Sequence, residues 1–136
     1  MQDLKNVVLP FYTKCLTVNP GTNVADEMGK ILADDFQSLN TMETKGKAQL
    51  IGQIQFFWKL VPDLKWEPQE VLQDGNKVIV RSLASGTPNG DFMGLPTNGT
   101  KSFSMMSIDI HIVENGQIKT VHHIEEWGIA MAQLKG

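Results

Sequence analysis

Apolar residues recur at helical spacing through the first sixty positions of the chain and then change to strict alternation. Leu4, Val7, Val8, Phe11 and Cys15 share one face of a first helix, which Pro10 must kink because proline removes a backbone donor. Val24, Met28, Ile31 and Leu32 form the stripe of a second helix, with Asn23 as its cap and Asp26 at the positive end of its dipole, ending before Asp34. Leu50, Ile51, Ile54, Phe57, Trp58 and Val61 line a third, capped by Thr44 and stopped by Pro62. After Pro62 the period is two, and Asp74-Gly75 and Asn115-Gly116 each fit a two-residue turn with positive φ. Residues 86–100, GTPNGDFMGLPTNGT, hold four glycines and two prolines, so a loop without regular structure is expected there, a candidate lid. A short helix from Trp127 to Leu134 closes the chain.

Helices first and strands afterwards predict an α+β domain, with helices on one face of a bent antiparallel sheet that can enclose a pocket. A length of 136 residues with 41% hydrophobic content suits one domain, 1–136, with its own core. The single cysteine, Cys15, can form no internal disulfide, and the start MQDLKNVV lacks a secretory pattern, so a reducing, cytoplasmic setting is expected. Twelve Lys and Arg against fifteen Asp and Glu, with no basic run, argue against a nucleic-acid partner, and no apolar stretch is long enough for a membrane span.

The three histidines, His111, His122 and His123, all fall on the last two strands. With Asn115 and Gly116 as the turn, an unbroken ladder sets Asp109 opposite His122, His111 opposite Thr120, Ser107 opposite Ile124 and Met105 opposite Glu126. Ser107, Asp109, His111, Thr120, His122 and Glu126 then share one face, and Met106, Ile108, Ile110, Ile112, Val121 and His123 the other. Asp109 and His122 have β-carbons about 5 Å apart, close enough for a carboxylate to hold an imidazole. Glu126 is roughly 13 Å further along. Polar residues on such a face most often meet only water. A metal site is a further reading, although no HxH or HExxH spacing supports one. His123, on the apolar face, reads as a core or interface histidine, entering a pocket only if the isoleucine face lines it.

The segments GTPNGDFMG (86–94), SIDIHIV (107–113) and HHIEEWGIAMAQL (122–134) resemble the SnoaL-like polyketide cyclase, or ester cyclase, family. The resemblance implies a cystatin-like, nuclear-transport-factor-2-like fold: three helices packed in a curved sheet, a cone-shaped half-barrel with an internal pocket. It implies aldol-type cyclisation by one late-strand acid/base residue, without metal or cofactor, and puts Glu126 where the family usually has Asp. It also puts Pro88 where many members have histidine, which points away from the aromatic polyketide cyclases proper. On this reading Phe57, Trp58, Phe92 and Trp127 line an apolar pocket that raises the pKa of Glu126. His122, positioned by Asp109, bonds the enolate; His111 and His123 contribute to substrate binding. Arg81 is another donor, unless it is spent in a surface salt bridge. The expected function is cofactor-free cyclase, isomerase or hydrolase chemistry on a hydrophobic carbonyl compound; the alternative is a non-catalytic binding or dimerisation module on the same fold. With the Asp109 face inward, Met106, Ile108 and Ile110 lie outside, so a homodimer through the outer sheet face is expected.

Overall fold

The structure is a computed structural model in which residues 3–136 are described. Its first helix, α1 (Lys5–Pro10), runs into a π-helical turn, Phe11–Cys15. Pro10 cannot donate to the preceding turn, and the chain widens by one residue just after it. Phe11, Tyr12, Cys15 and Leu16 are all buried as a result. The second helix, α2 (Val24–Ile31), has Asn23 as its cap, accepting from Asp26 N at 3.1 Å. The third helix, α3 (Lys47–Leu60), begins at Gly46, where Gln49 Oε1 accepts from the Gly46 N–H at 2.9 Å. Thr44 is therefore not its cap. It belongs to a short strand, β2 (Thr44–Gly46), which pairs antiparallel with β1 (Leu32–Leu39).

The remaining strands are β3 (Lys65–Asp74), β4 (Lys77–Gly86), β5 (Asn89–Phe92), β6 (Leu95–Asn98), β7 (Phe103–Glu114) and β8 (Gln117–Glu125), followed by α4 (Trp127–Lys135). Six of the eight make one curved sheet in the order β2-β1-β8-β7-β4-β3, antiparallel except where β1 runs parallel to β8. The fold is thus the expected α+β class, a curved sheet that does not close into a barrel. The first hairpin turns through Gly75 and Asn76, one residue later than the Asp-Gly signal implied, with Gly75 at φ 61°. The segment 86–100 is not irregular: β5 and β6 pair as a separate hairpin through Met93 and Gly94, at φ 53° and 86°. Thr97 Oγ1 fastens it, accepting from Gly90 N and donating to Gly90 O.

Along β7 burial alternates without a break: Phe103, Met105, Ser107, Asp109, His111 and Val113 face the helices, while Met106, Ile108 and Ile110 face out. The polar face is the inner one. Inside, α1, the π turn, α2 and α3 pack with the sheet into one core cluster that includes Tyr12, Met28, Phe36, Ile54 and Trp66.

At the end of β4 the backbone comes so close to the end of α3 that a β-carbon on Gly86 would sit 2.3 Å from Val61 Cγ1. Gly86→Ala is therefore expected to destabilise by about 1–3 kcal/mol through overpacking. Gly52, inside α3 with nothing within 4 Å, is expected to gain roughly 0.5–1 kcal/mol as Ala. Urea unfolding of the two variants checks the contrast, and changes of the same sign would refute it.

Candidate functional site

From the Asn115-Gly116 turn the ladder begins in the expected register, with Glu114 opposite Gln117 and Val113 opposite Ile118. The next pair is Ile112 with Thr120, so Lys119 is an extra, unpaired residue, a β-bulge. Because side chains alternate, one added residue exchanges the faces of everything beyond it. Asp109 therefore opposes His123, not His122, and Ser107 opposes Glu125. Val121, His123 and Glu125 point to the helices, and His122 is exposed.

These inward residues line a cavity of about 250 Å³ between the sheet and the helices. Phe11, Leu50, Ile54, Phe57 and Trp127 supply apolar wall, and Asp109, His123 and Glu125 supply the ionisable groups. Lys45 and Glu43, joined at 2.8 Å, stand on its β2 side.

Asp109 is buried, and its carboxylate oxygen Oδ2 accepts from the Tyr12 hydroxyl at 2.6 Å. Burial disfavours the charged carboxylate and pushes its pKa up to about 7, against the opposing hydrogen bond from Tyr12 and the nearby His123. On the far side of Tyr12, His111 Nε2 lies 2.6 Å from the same hydroxyl. Burial pushes the His111 pKa down to about 3, so the ring is neutral. Tyr12 itself is held well above its ordinary value, first by burial and then by Asp109. Trp66 Nε1 donates to Ser107 Oγ at 3.1 Å behind the carboxyl.

His123 and Glu125 lie two residues apart on one face of β8, and His123 Nδ1 meets Glu125 Oε2 at 2.7 Å. That hydrogen bond is the main cause of a raised His123 pKa, and it leaves Nε2 for the cavity. Trp127 Nε1 holds the other Glu125 oxygen at 3.1 Å. A carboxyl balanced near neutrality and an imidazole of raised pKa thus sit on adjacent strands of one apolar cavity. Such a pair can take a proton from carbon and steady the oxygen that becomes negative.

Of the candidates read from sequence, Asp109, His123, Phe57 and Trp127 reach the cavity. Glu126 does not, because the bulge puts it beyond the end of β8 and on the exposed side. There its Oε1 accepts from Met106 N at 2.9 Å and its carbonyl accepts from the amides of Ile129 and Ala130 in the first turn of α4, a junction between strand and helix. His122 is turned out by the same shift. Arg81 is on the outer face, paired with Glu70 at 3.1 Å. Trp58 donates to Cys15 O, and Phe92 packs with Phe57, Phe103 and Trp127 behind the wall. His111 lies one residue removed from the cavity, behind Tyr12. Sequence reading missed Tyr12 and Glu125. The first was detectable, since it follows Val8 by four residues on the apolar stripe; the second was hidden by the bulge.

A family model described as SnoaL-like polyketide cyclase matches residues 6–134. The chain belongs to that family. Solved structures agree on the fold of a SnoaL-like protein. One is named as a SnoaL-like polyketide cyclase, from Jannaschia sp. CCS1, with 18% identity, a TM-score of 0.86 and coverage of 100% of this chain and 99% of that one. IdmH from Streptomyces antibioticus, named as a polyketide cyclase, has 22% identity and a TM-score of 0.81 over 99% and 100% of the two chains. AclR from Streptomyces galilaeus, named as a hydroxylase, has 17% identity and a TM-score of 0.82 over 97% and 84%. No curated protein matches the chain in sequence.

The two buried groups have opposite effects on stability. Unfolding lets Asp109 ionise near pH 4 rather than about 7, so its contribution falls as pH rises between those values. Unfolding lets His111 take a proton near 6.5 rather than about 3, so its contribution falls as pH falls. Between about pH 4 and 6.5 the two slopes, each about 1.4 kcal/mol per pH unit, oppose one another. Relative to wild type, Asp109→Asn is expected to gain stability as pH rises through this range, and His111→Phe as it falls. Urea unfolding at pH 4.5 and 6.5 measures both; parallel slopes would show that the burial costs are misassigned.

Proposed function

We propose that this SnoaL-like protein is a cofactor-free acid/base enzyme, of cyclase or isomerase type, acting on a hydrophobic carbonyl compound in a reducing cytoplasm. The observation that carries this reading is the placement of Asp109, a buried carboxyl poised near pH 7, on the wall of an apolar cavity. Asp109 serves as the base that takes a proton from carbon beside a carbonyl and later returns it. His123, as the imidazolium favoured by its hydrogen bond to Glu125, donates from Nε2 to the enolate oxygen. Glu126, the candidate drawn from the family pattern, has no part in the chemistry. The cavity is at the small end of ligand pockets, which run from about 300 to 1,000 Å³, and so favours a compact, one- or two-ring substrate.

The test is proton exchange on 2-tetralone in deuterated buffer, followed by NMR. Wild type is expected to accelerate exchange at the carbon beside the carbonyl, the rate rising with pH as Asp109 loses its proton at about 7 and falling again once His123 gives up the proton it donates. Asp109→Asn should lower the rate by about 10²–10⁴, and Glu126→Gln should leave it within about twofold. Binding without exchange in wild type would make the protein a ligand-binding module. Undiminished exchange in Asp109→Asn would remove Asp109 as the base.

The outer sheet face supports a second part of the reading. Leu83, Met106, Ile108, Ile110 and Ile124 adjoin one another by register and are exposed, Ile124 to 70%. We propose that a second copy of the chain covers this patch, as apolar surface of that kind seeks a partner. Sedimentation at micromolar concentration is expected to show a dimer, and Ile108→Lys a monomer; a monomeric wild type refutes it.

A further inference from the structure

The Tyr12 hydroxyl has one proton and two neighbours at 2.6 Å, Asp109 Oδ2 and His111 Nε2. It must donate to one and accept from the other. When Asp109 is ionised it can only accept, so Tyr12 donates to it, and His111 must carry its proton on Nε2 to donate in turn. His111 Nδ1 is then a bare lone pair, which fits its surroundings: it is buried and has no hydrogen-bond partner among the described residues. The Phe11 ring lies beside it, with ring centroids 5.8 Å apart, and offers no nitrogen or oxygen acceptor.

When Asp109 takes up a proton, two arrangements are open. A proton on Oδ2 would reverse the chain, forcing Tyr12 to donate to Nε2 and moving the His111 proton to Nδ1. That would bury a donor with nothing to receive it. A proton on Oδ1 leaves the chain as it was. We propose that His111 is a positioning residue which, by donating from Nε2, commits the Tyr12 proton to Oδ2 and confines proton exchange on Asp109 to Oδ1. The base then presents the same atom in both halves of a proton-transfer cycle. This proposal deepens the acid/base role of Asp109 and rests on that reading for its functional meaning.

The groups facing Asp109 are Tyr12 from the π turn, Ser107 and His111 on its own strand, and His123 and Glu125 on β8; Ser107 also hydrogen-bonds the Asp109 carboxyl, and Lys45 on β2 acts on His123. Only Tyr12 and His111 form the relay, so variants at these two positions isolate it.

Two NMR measurements on the full chain, neither needing a substrate, test it. Long-range proton–nitrogen correlation on histidine-labelled protein is expected to show His111 neutral with its proton on Nε2 at both pH 5 and pH 8.5. A proton on Nδ1 at either pH, or titration between them, overturns the proposal. Carboxyl-carbon titration of Asp109 supplies the second measurement. Tyr12→Phe, which removes the donor, should move the Asp109 midpoint up by about one pH unit. His111→Leu should also move it up, since the hydroxyl is no longer held to Oδ2. His111→Gln, whose amide can still donate to Tyr12, should restore the wild-type midpoint. Equal midpoints for the Leu and Gln variants would reduce His111 to a packing residue and sink the relay. Failure of 2-tetralone exchange with the relay intact would instead count against the proposed function alone.

Discussion

A strand repeats every two residues, so its register decides which of its side chains meet the core and which meet water. In this protein a single bulge at Lys119 sets that choice for the whole second half of β8. It turns His123 and Glu125 inward, sends His122 outward and leaves Glu126 to join β7 to α4. The lining of the cavity depends on this offset more than on the identity of any one residue: the same sequence without the bulge would present a different imidazole and a different carboxyl.

The sheet is also inverted relative to the ordinary amphipathic strand. Its inner wall carries Ser82, Ser107, Asp109 and His111, and its outer wall carries the isoleucines. Burying such a wall is costly unless its groups satisfy one another or give up charge. Both happen here. Tyr12 bridges Asp109 and His111, Trp66 reaches Ser107, His111 stays neutral and Asp109 keeps its proton to about pH 7. The same desolvation that weakens the fold around Asp109 lifts its pKa to about 7.

Much of this architecture was legible in the residues. Helical stripes located α2 and α3, the Asn-Gly turn fixed the start of the last hairpin, and unbroken alternation from Phe103 to Val113 put Asp109 and His111 on one face. The bulge was not legible, because Lys119 and Thr120 look like ordinary strand residues and the extra one is dictated by pairing on both sides. β8 is squeezed between β7 and a parallel β1 whose own register slips between Leu32 and Gln37. β1 itself escaped notice because Asp34 and Asp35 interrupt its apolar pattern, though Leu32, Phe36 and Ser38 are buried. The Gly- and Pro-rich segment 86–100 read as a loop, yet an isolated two-stranded ribbon has free edges where Pro96 is tolerated and a turn that needs Gly94.

The π-helical turn at Phe11–Cys15 and the bulge at Lys119 are the same device in two kinds of structure, one residue more than the regular repeat allows. One brings Tyr12 into the core; the other brings His123 to the cavity. Ancestry and engineering follow from this. Point substitutions can change the character of these side chains, but exchanging which of them face the cavity takes a gain or loss of one residue. Among relatives of this chain, short insertions and deletions at these two places should therefore mark where one set of cavity-lining groups gave way to another.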